Sequence, residues 1–129
     1  MSYSTYAELK VWKECRMLTA EVYRVTRGFP KEELFGLTSQ MRRCAVSIPS
    51  NIAEGCGRNH FRDSLQFFFI SRGSLYELET QMYIASDQNY ILESEVNTLF
   101  SQLSTCKKLL NGFIKYFEQL KDKQQTTNN

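Results

Sequence analysis

The chain has 129 residues, 42% of them hydrophobic and 23% charged, with a formal net charge of +2. That is enough chain for one buried core. No apolar run approaches the roughly 20 residues that a membrane span needs, and a near-neutral total does not by itself mark a nucleic-acid binder.

Only two prolines and six glycines occur. Interior glycine costs a helix about 1 kcal/mol and proline about 3, so this scarcity favours long helices. Residues 1–6 read as a polar lead-in dotted with tyrosine. A first helix is predicted from about Ala7 to Arg27. Its apolar line, Val11, Cys15, Leu18, Val22, Val25 and Phe29, advances in alternating steps of four and three. That is one helical face. Gly28 and Pro30 mark its end.

Lys31, Glu32 and Glu33 are expected to open a second helix, because acids suit the positive N-terminal end of the helix dipole. Leu34, Leu37, Met41, Ala45, Ile48 and Ile52 fall within about 40° of one line at about 100° per residue. Val46, Pro49 and Ala53 form a second apolar strip beside it. Pro49 removes a donor and crowds the carbonyl of Ala45. The apolar register continues through it, so a single kinked helix is expected. Ser47 and Ser50 are placed to bond the freed backbone groups.

Gly55 and Gly57 are expected to loosen the end of that helix before a tight Arg58–His60 connection. A third helix is predicted from about Phe61 to Asp87, with Leu65, Phe68, Leu75, Leu78, Met82 and Ala85 on its core line. Gly73 in its middle is costly unless another backbone comes close. The fourth helix has a heptad seam: Leu92, Val96, Leu99, Leu103, Cys106, Leu110, Phe113, Phe117 and Leu120. Residues 122–129 are polar and expected to be disordered. The short connections predict an all-α, antiparallel up-down-up-down four-helix bundle over residues 7–121.

The sequence lacks the sets that carry catalysis. His60 is the single histidine, so a two-histidine metal site is impossible, and no ExxH pattern accompanies the carboxylates. The GCG of Gly55–Gly57 lacks the frame of a phosphate loop. Cys15, Cys44, Cys56 and Cys106 contain no CxxC pair. They are expected to be buried, reduced thiols in a cytoplasmic protein. No enzyme activity, cofactor or metal is expected.

What remains is an arginine set: Arg42, Arg43, Arg58, Arg62 and Arg72. Arginine grips phosphate with a two-pronged fork, which points to nucleic-acid contact. A salt-bridged face is the alternative, because Glu77, Glu79, Asp87, Glu93 and Glu95 follow with no intervening Lys or Arg. Glu54 and Arg58 are spaced to pair on one helix. The surplus apolar residues Val46, Pro49, Ala53, Phe67, Phe69 and Tyr76 suggest an oligomer interface or a docking surface for another protein.

The segments YAELKVWKEC (Tyr6–Cys15), VYRVTRGFPKEELFGLTSQMRRCAVSIPSNIAEGCGR (Val22–Arg58) and GSLYELETQ (Gly73–Gln81) resemble the bacterial four-helix-bundle proteins encoded in 23S ribosomal RNA intervening sequences, the S23 or IVS proteins. The likeness runs from about residue 6 to residue 120. It implies an up-down bundle that assembles as a ring, most often a pentamer, and no catalytic residues. That family is in turn similar to the accessory variability proteins of diversity-generating retroelements, basic bundles that engage nucleic acid and a reverse transcriptase. The expected partners are therefore further copies of the chain, and RNA or DNA.

Overall fold

The structure, a computed structural model, describes residues 5–128. It holds four α-helices: α1 (Lys10–Thr26), α2 (Leu37–Cys56), α3 (Phe61–Asp87) and α4 (Glu93–Asn128). Short 3-10 turns at Tyr6–Glu8 and Lys31–Glu33 precede α1 and α2. Among the described residues there is no strand.

The predicted first helix begins late, because Leu9 is extended (φ −71°, ψ 131°) and separates the opening turn from α1. All six residues of its core line are buried. The second helix also begins late. Gly36 (φ −114°, ψ −116°) breaks the chain between the Lys31–Glu33 turn and α2. Leu34, expected on the core line, is left exposed in the connection. Glu33 still serves the helix start, since its carboxylate accepts the Leu37 N–H at 3.1 Å.

Helix α3 ends as a Schellman motif. Asn89 takes the left-handed conformation (φ 62°), and the Tyr90 N–H donates to the Ala85 carbonyl at 2.9 Å. In α4 the seam residues Leu99, Leu103, Cys106, Leu110 and Phe117 are buried, but Leu92 stands before the helix and is exposed. The segment from Asp122, expected to be disordered, continues α4 through Asn128. No Pro or Gly interrupts it, and each added residue of a long helix gains a backbone bond without a new nucleation cost. Met1–Ser4 of the lead-in and Asn129 of the tail lie outside the described residues.

Each helix packs on two neighbours, α1 on α2, α2 on α3, α3 on α4 and α4 back on α1. Cross-helix bonds give the directions. Arg42 meets Thr26 near the start of α2, while Trp12 lines a groove with Ala53 near its end. Ser47 meets Ser74 and Ser71 meets Ile48. Glu79 meets Lys107, and Arg24 meets Glu95. Neighbouring helices therefore run antiparallel.

The core is tightest where α2, α3 and α4 meet. Phe68 lies 4.9 Å from Phe117 and 5.0 Å from Phe113, ring centre to ring centre. Fully burying one such ring contributes about 1.5–3 kcal/mol. Gly55 is there because nothing larger fits. A Cβ at that position would clash with the Phe68 ring and meet the Ser64 carbonyl oxygen at 2.9 Å. Gly55 thus locks α2 onto α3 and does not loosen a helix end. Gly73 is the reverse case: nothing lies within 4 Å of a Cβ there, so no close backbone offsets its cost to the helix.

Candidate nucleic-acid interface

Helix α2 stays α-helical through Pro49 from Leu37 to Cys56. The Ala45 carbonyl, which loses its helical donor to the proline ring, accepts from the Thr19 hydroxyl of α1 at 3.0 Å. Ser47, named for this task, works elsewhere. Ser47 bonds the Cys44 carbonyl at 2.6 Å and Ser74 Oγ at 2.8 Å, tying α2 to α3. This unbroken run of helix sets where the arginines point.

The five arginines are not gathered into one patch. Arg42 lies half-buried between α1 and α2, donating from Nε to Thr26 Oγ1 at 2.9 Å and resting 4.9 Å from the Tyr23 ring centre. Arg43, one residue on, is exposed on the outer side of α2. Arg58 sits at the far end of the bundle, bonded to Glu54 at 3.0 Å and stacked 4.5 Å over Phe67. Arg62 is exposed in the first turn of α3. Arg72 is on the α4 side, 5.2 Å over Phe69 and 3.3 Å from Asn111 Oδ1.

The interface candidates divide in the same way. Val46, Pro49 and Ala53 come together in an open groove of about 460 Å³ between α1 and α2, with Tyr6, Trp12 and Arg16 on its other wall. Phe67, Phe69 and Tyr76 lie elsewhere, each beneath a cation of the same chain: Arg58, Arg72 and, at 4.7 Å, Lys107. A cation over an aromatic face gains about 0.5–1 kcal/mol at an exposed site, and the long side chain also covers apolar surface. Their surplus hydrophobicity is therefore partly met within the chain.

The acidic stretch after α3's midpoint does not answer the arginine set. Glu79 holds Lys107 at 2.9 Å and Glu95 holds Arg24 at 2.8 Å. Arg24 also bonds Glu21 at 2.7 Å, and these two carboxylates raise its already high pKa. Among the described residues, Arg42, Arg43, Arg62 and Arg72 form no ion pair with a carboxylate.

All four cysteines are buried and free. Burial and the nearby Glu77 push the Cys44 thiol up to about 12, and burial pushes Cys56 up to about 11. Cys15 is raised further by its hydrogen bond with Cys106 and by burial. Cys15, Cys44 and Cys56 are therefore protonated, unreactive thiols. Among the described residues no group of His, Cys, Asp and Glu could hold a metal ion. No described helix is long and apolar enough to cross a membrane.

Two surface features were not singled out in the sequence. Arg16 stacks on Trp12 at 5.3 Å, a contact legible from the four-residue spacing of a cation and an aromatic. Phe35 is 93% exposed and lines a second open groove with Tyr23, Arg42, Arg43 and Val46. Its signal was an apolar residue out of helical register just before Gly36.

Fold and surface together define a small all-α bundle with cationic and aromatic contacts on its outside. The chain belongs to the 23S rRNA-intervening sequence protein family, whose profile matches residues 7–112. Among solved structures it is similar to a protein of unknown function from the S23 ribosomal protein family of Bacteroides thetaiotaomicron VPI-5482. The two share 20% identity with a TM-score of 0.75, over 81% of this chain and 95% of the other. That likeness shows the fold. No curated protein matches, and these comparisons indicate no catalytic family.

Proposed function

We propose that the chain is a non-catalytic bundle that self-associates and holds structured RNA through its arginine set. The observation that carries this is the state of the arginines. Four of the five have no carboxylate partner within the described chain, and in the acidic stretch that follows them Glu79 and Glu95 are committed to Lys107 and Arg24. Unneutralised guanidinium groups on a bundle surface are suited to phosphate. Because one chain spreads them apart, assembly is what would bring several onto a common surface; by family resemblance, that assembly is a pentameric ring. The four buried thiols suit a reducing compartment such as the cytoplasm.

The family description makes a 23S rRNA intervening sequence the RNA to test first. In a filter-binding salt titration, log affinity should fall by about 0.7 to 0.9 per phosphate contacted as log salt rises. Absence of binding to that RNA at low salt would overturn the proposal.

A second reading, a scaffold that docks another protein and no RNA, is favoured by the exposed Phe35. Changing Arg62 and Arg72 to Glu separates the two. RNA binding is lost under the first reading, and partner capture survives under the second.

A further inference from the structure

The groove between α1 and α2 has an apolar wall, Val46, Pro49 and Ala53, and an aromatic one, Tyr6 and Trp12. The two rings meet edge to face, 5.3 Å between centres and 70° between planes. The Arg16 guanidinium lies 5.3 Å from the indole centre. Trp12 and Arg16 also line a second hollow, of about 430 Å³, with Lys13 and Met17. The stacked pair is therefore a ridge with an opening on each side. At about 460 Å³ the groove has the volume of a small-ligand site.

The polar groups of the groove divide into those already engaged and those left over. Thr19 donates its hydroxyl to the Cys15 and Ala45 carbonyls, and Arg58 holds the Glu54 carboxylate at 3.0 Å. The one acid on the wall is thus met by an arginine beside the groove. Arg16 and Lys13 form no ion pair among the described residues. The side-chain hydroxyls of Tyr6 and Ser50 also line the groove.

An aromatic face, a guanidinium without a carboxylate and hydroxyls on an apolar wall suit a nucleotide. Its base stacks, its phosphate takes the cation, and its edge takes hydrogen bonds. A proline-rich peptide would use the aromatic wall but brings no anion for Arg16 and Lys13.

We propose that this groove takes one unpaired nucleotide of an RNA, its base against Trp12 and Tyr6 and its phosphate on Arg16. This rests on the RNA reading above and deepens it. The arginine set contacts phosphate whether the strand is paired or not, whereas a base reaches an indole face only when it is out of the double helix. The RNA that fits is one with a bulge, a loop or a single-stranded end.

Trp12 is the single tryptophan of the chain, so its emission reports on this groove alone. The probes are a short oligoadenylate and the same strand paired with its complement. The single strand should quench Trp12 emission, and the duplex should not. Arg16→Ala should lower the slope of log affinity against log salt by about 0.7 for the single strand. Trp12→Leu, followed by anisotropy of a labelled strand, should weaken binding by about tenfold and leave that slope unchanged. Far-UV circular dichroism verifies folding, and Tyr6→Ala, at an exposed ring, replaces Trp12→Leu where the latter does not fold.

Equal quenching by the duplex, no quenching by the single strand, or an unchanged slope in Arg16→Ala would each overturn the proposal. A change in Trp12 emission with protein concentration alone would give the groove to a second copy, and quenching by a proline-rich peptide that RNA does not displace would give it to a protein; either result overturns it too. The two readings fail separately. Intervening-sequence RNA that binds through Arg62 and Arg72 with Trp12 silent overturns the groove and leaves the arginine reading standing. Trp12 quenched by single strands, with no binding of that RNA, does the reverse.

Discussion

The hydroxyl of Thr19 on α1 reaches the carbonyl of Ala45 on α2 at 3.0 Å, the carbonyl that Pro49 deprives of its helical donor. The same hydroxyl lies 2.9 Å from the Cys15 carbonyl of its own helix, so one proton serves two acceptors. Proline inside a helix usually costs about 3 kcal/mol. Here part of that cost is offset by a donor from the neighbouring helix. Thr19→Val should therefore destabilise by about 1 kcal/mol, the net value of such a bond. In a Pro49→Ala background the same change should cost much less, because alanine at that position restores the backbone N–H. A double-mutant cycle from urea unfolding measures that coupling, and additive effects would refute the assignment.

Two glycines should respond in opposite directions. Gly55→Ala places a methyl group against the Phe68 ring and the Ser64 carbonyl. Overpacking of this kind costs typically about 1–3 kcal/mol. Gly73→Ala meets open space in the middle of α3, and should stabilise by about 0.5–1 kcal/mol through helix propensity. Thermal melts of the two variants should move to opposite sides of the wild type.

The thiols predict alkaline sensitivity. Cys44 and Cys56 have their folded pKa pushed up to about 12 and about 11, from an ordinary value of 9.0. A raised folded pKa means the unfolded chain releases its protons first. The contribution is present in full below about pH 9 and is lost as pH rises toward about 11–12. Urea midpoints should be flat in this respect from about pH 7 to 8.5 and fall by about pH 10.5. Replacing both cysteines with Ala should flatten the alkaline limb. A thiol reagent at about pH 8 should label the native chain slowly and the unfolded chain fast.

Arg62 and Arg72 are predicted to act as phosphate contacts. Ala at either position should lower the slope of log affinity against log salt by about 0.7–0.9 and weaken all RNA sequences alike. Arg24→Ala, which removes a guanidinium already held by Glu21 and Glu95, should leave the slope unchanged. Filter binding at several salt concentrations distinguishes the two classes.

Much of the fold was readable because a helix repeats its environment every three or four residues. The line from Val11 to Phe29 is buried throughout, and α3 runs over Phe61–Asp87, the span its periodicity predicts. Periodicity is weakest at ends, where one residue's backbone decides. Extended Leu9, Gly36 before α2 and unbroken α4 beyond Lys121 all differ from the pattern for that reason. The Arg58–Glu54 pair was legible from spacing within one helix.

Contacts between helices were not legible. By itself the sequence determined four amphipathic helices and most of the residues that face inward, because these follow from local period. Only the tertiary structure decided that Thr19 serves the Pro49 gap, that Gly55 is a packing site and Gly73 is not, and that Glu79 and Glu95 answer Lys107 and Arg24 and not the arginine set. Those outcomes depend on which turn of one helix stands beside which turn of another. That registry is set by the packing of whole faces, not by the spacing of residues along one chain segment.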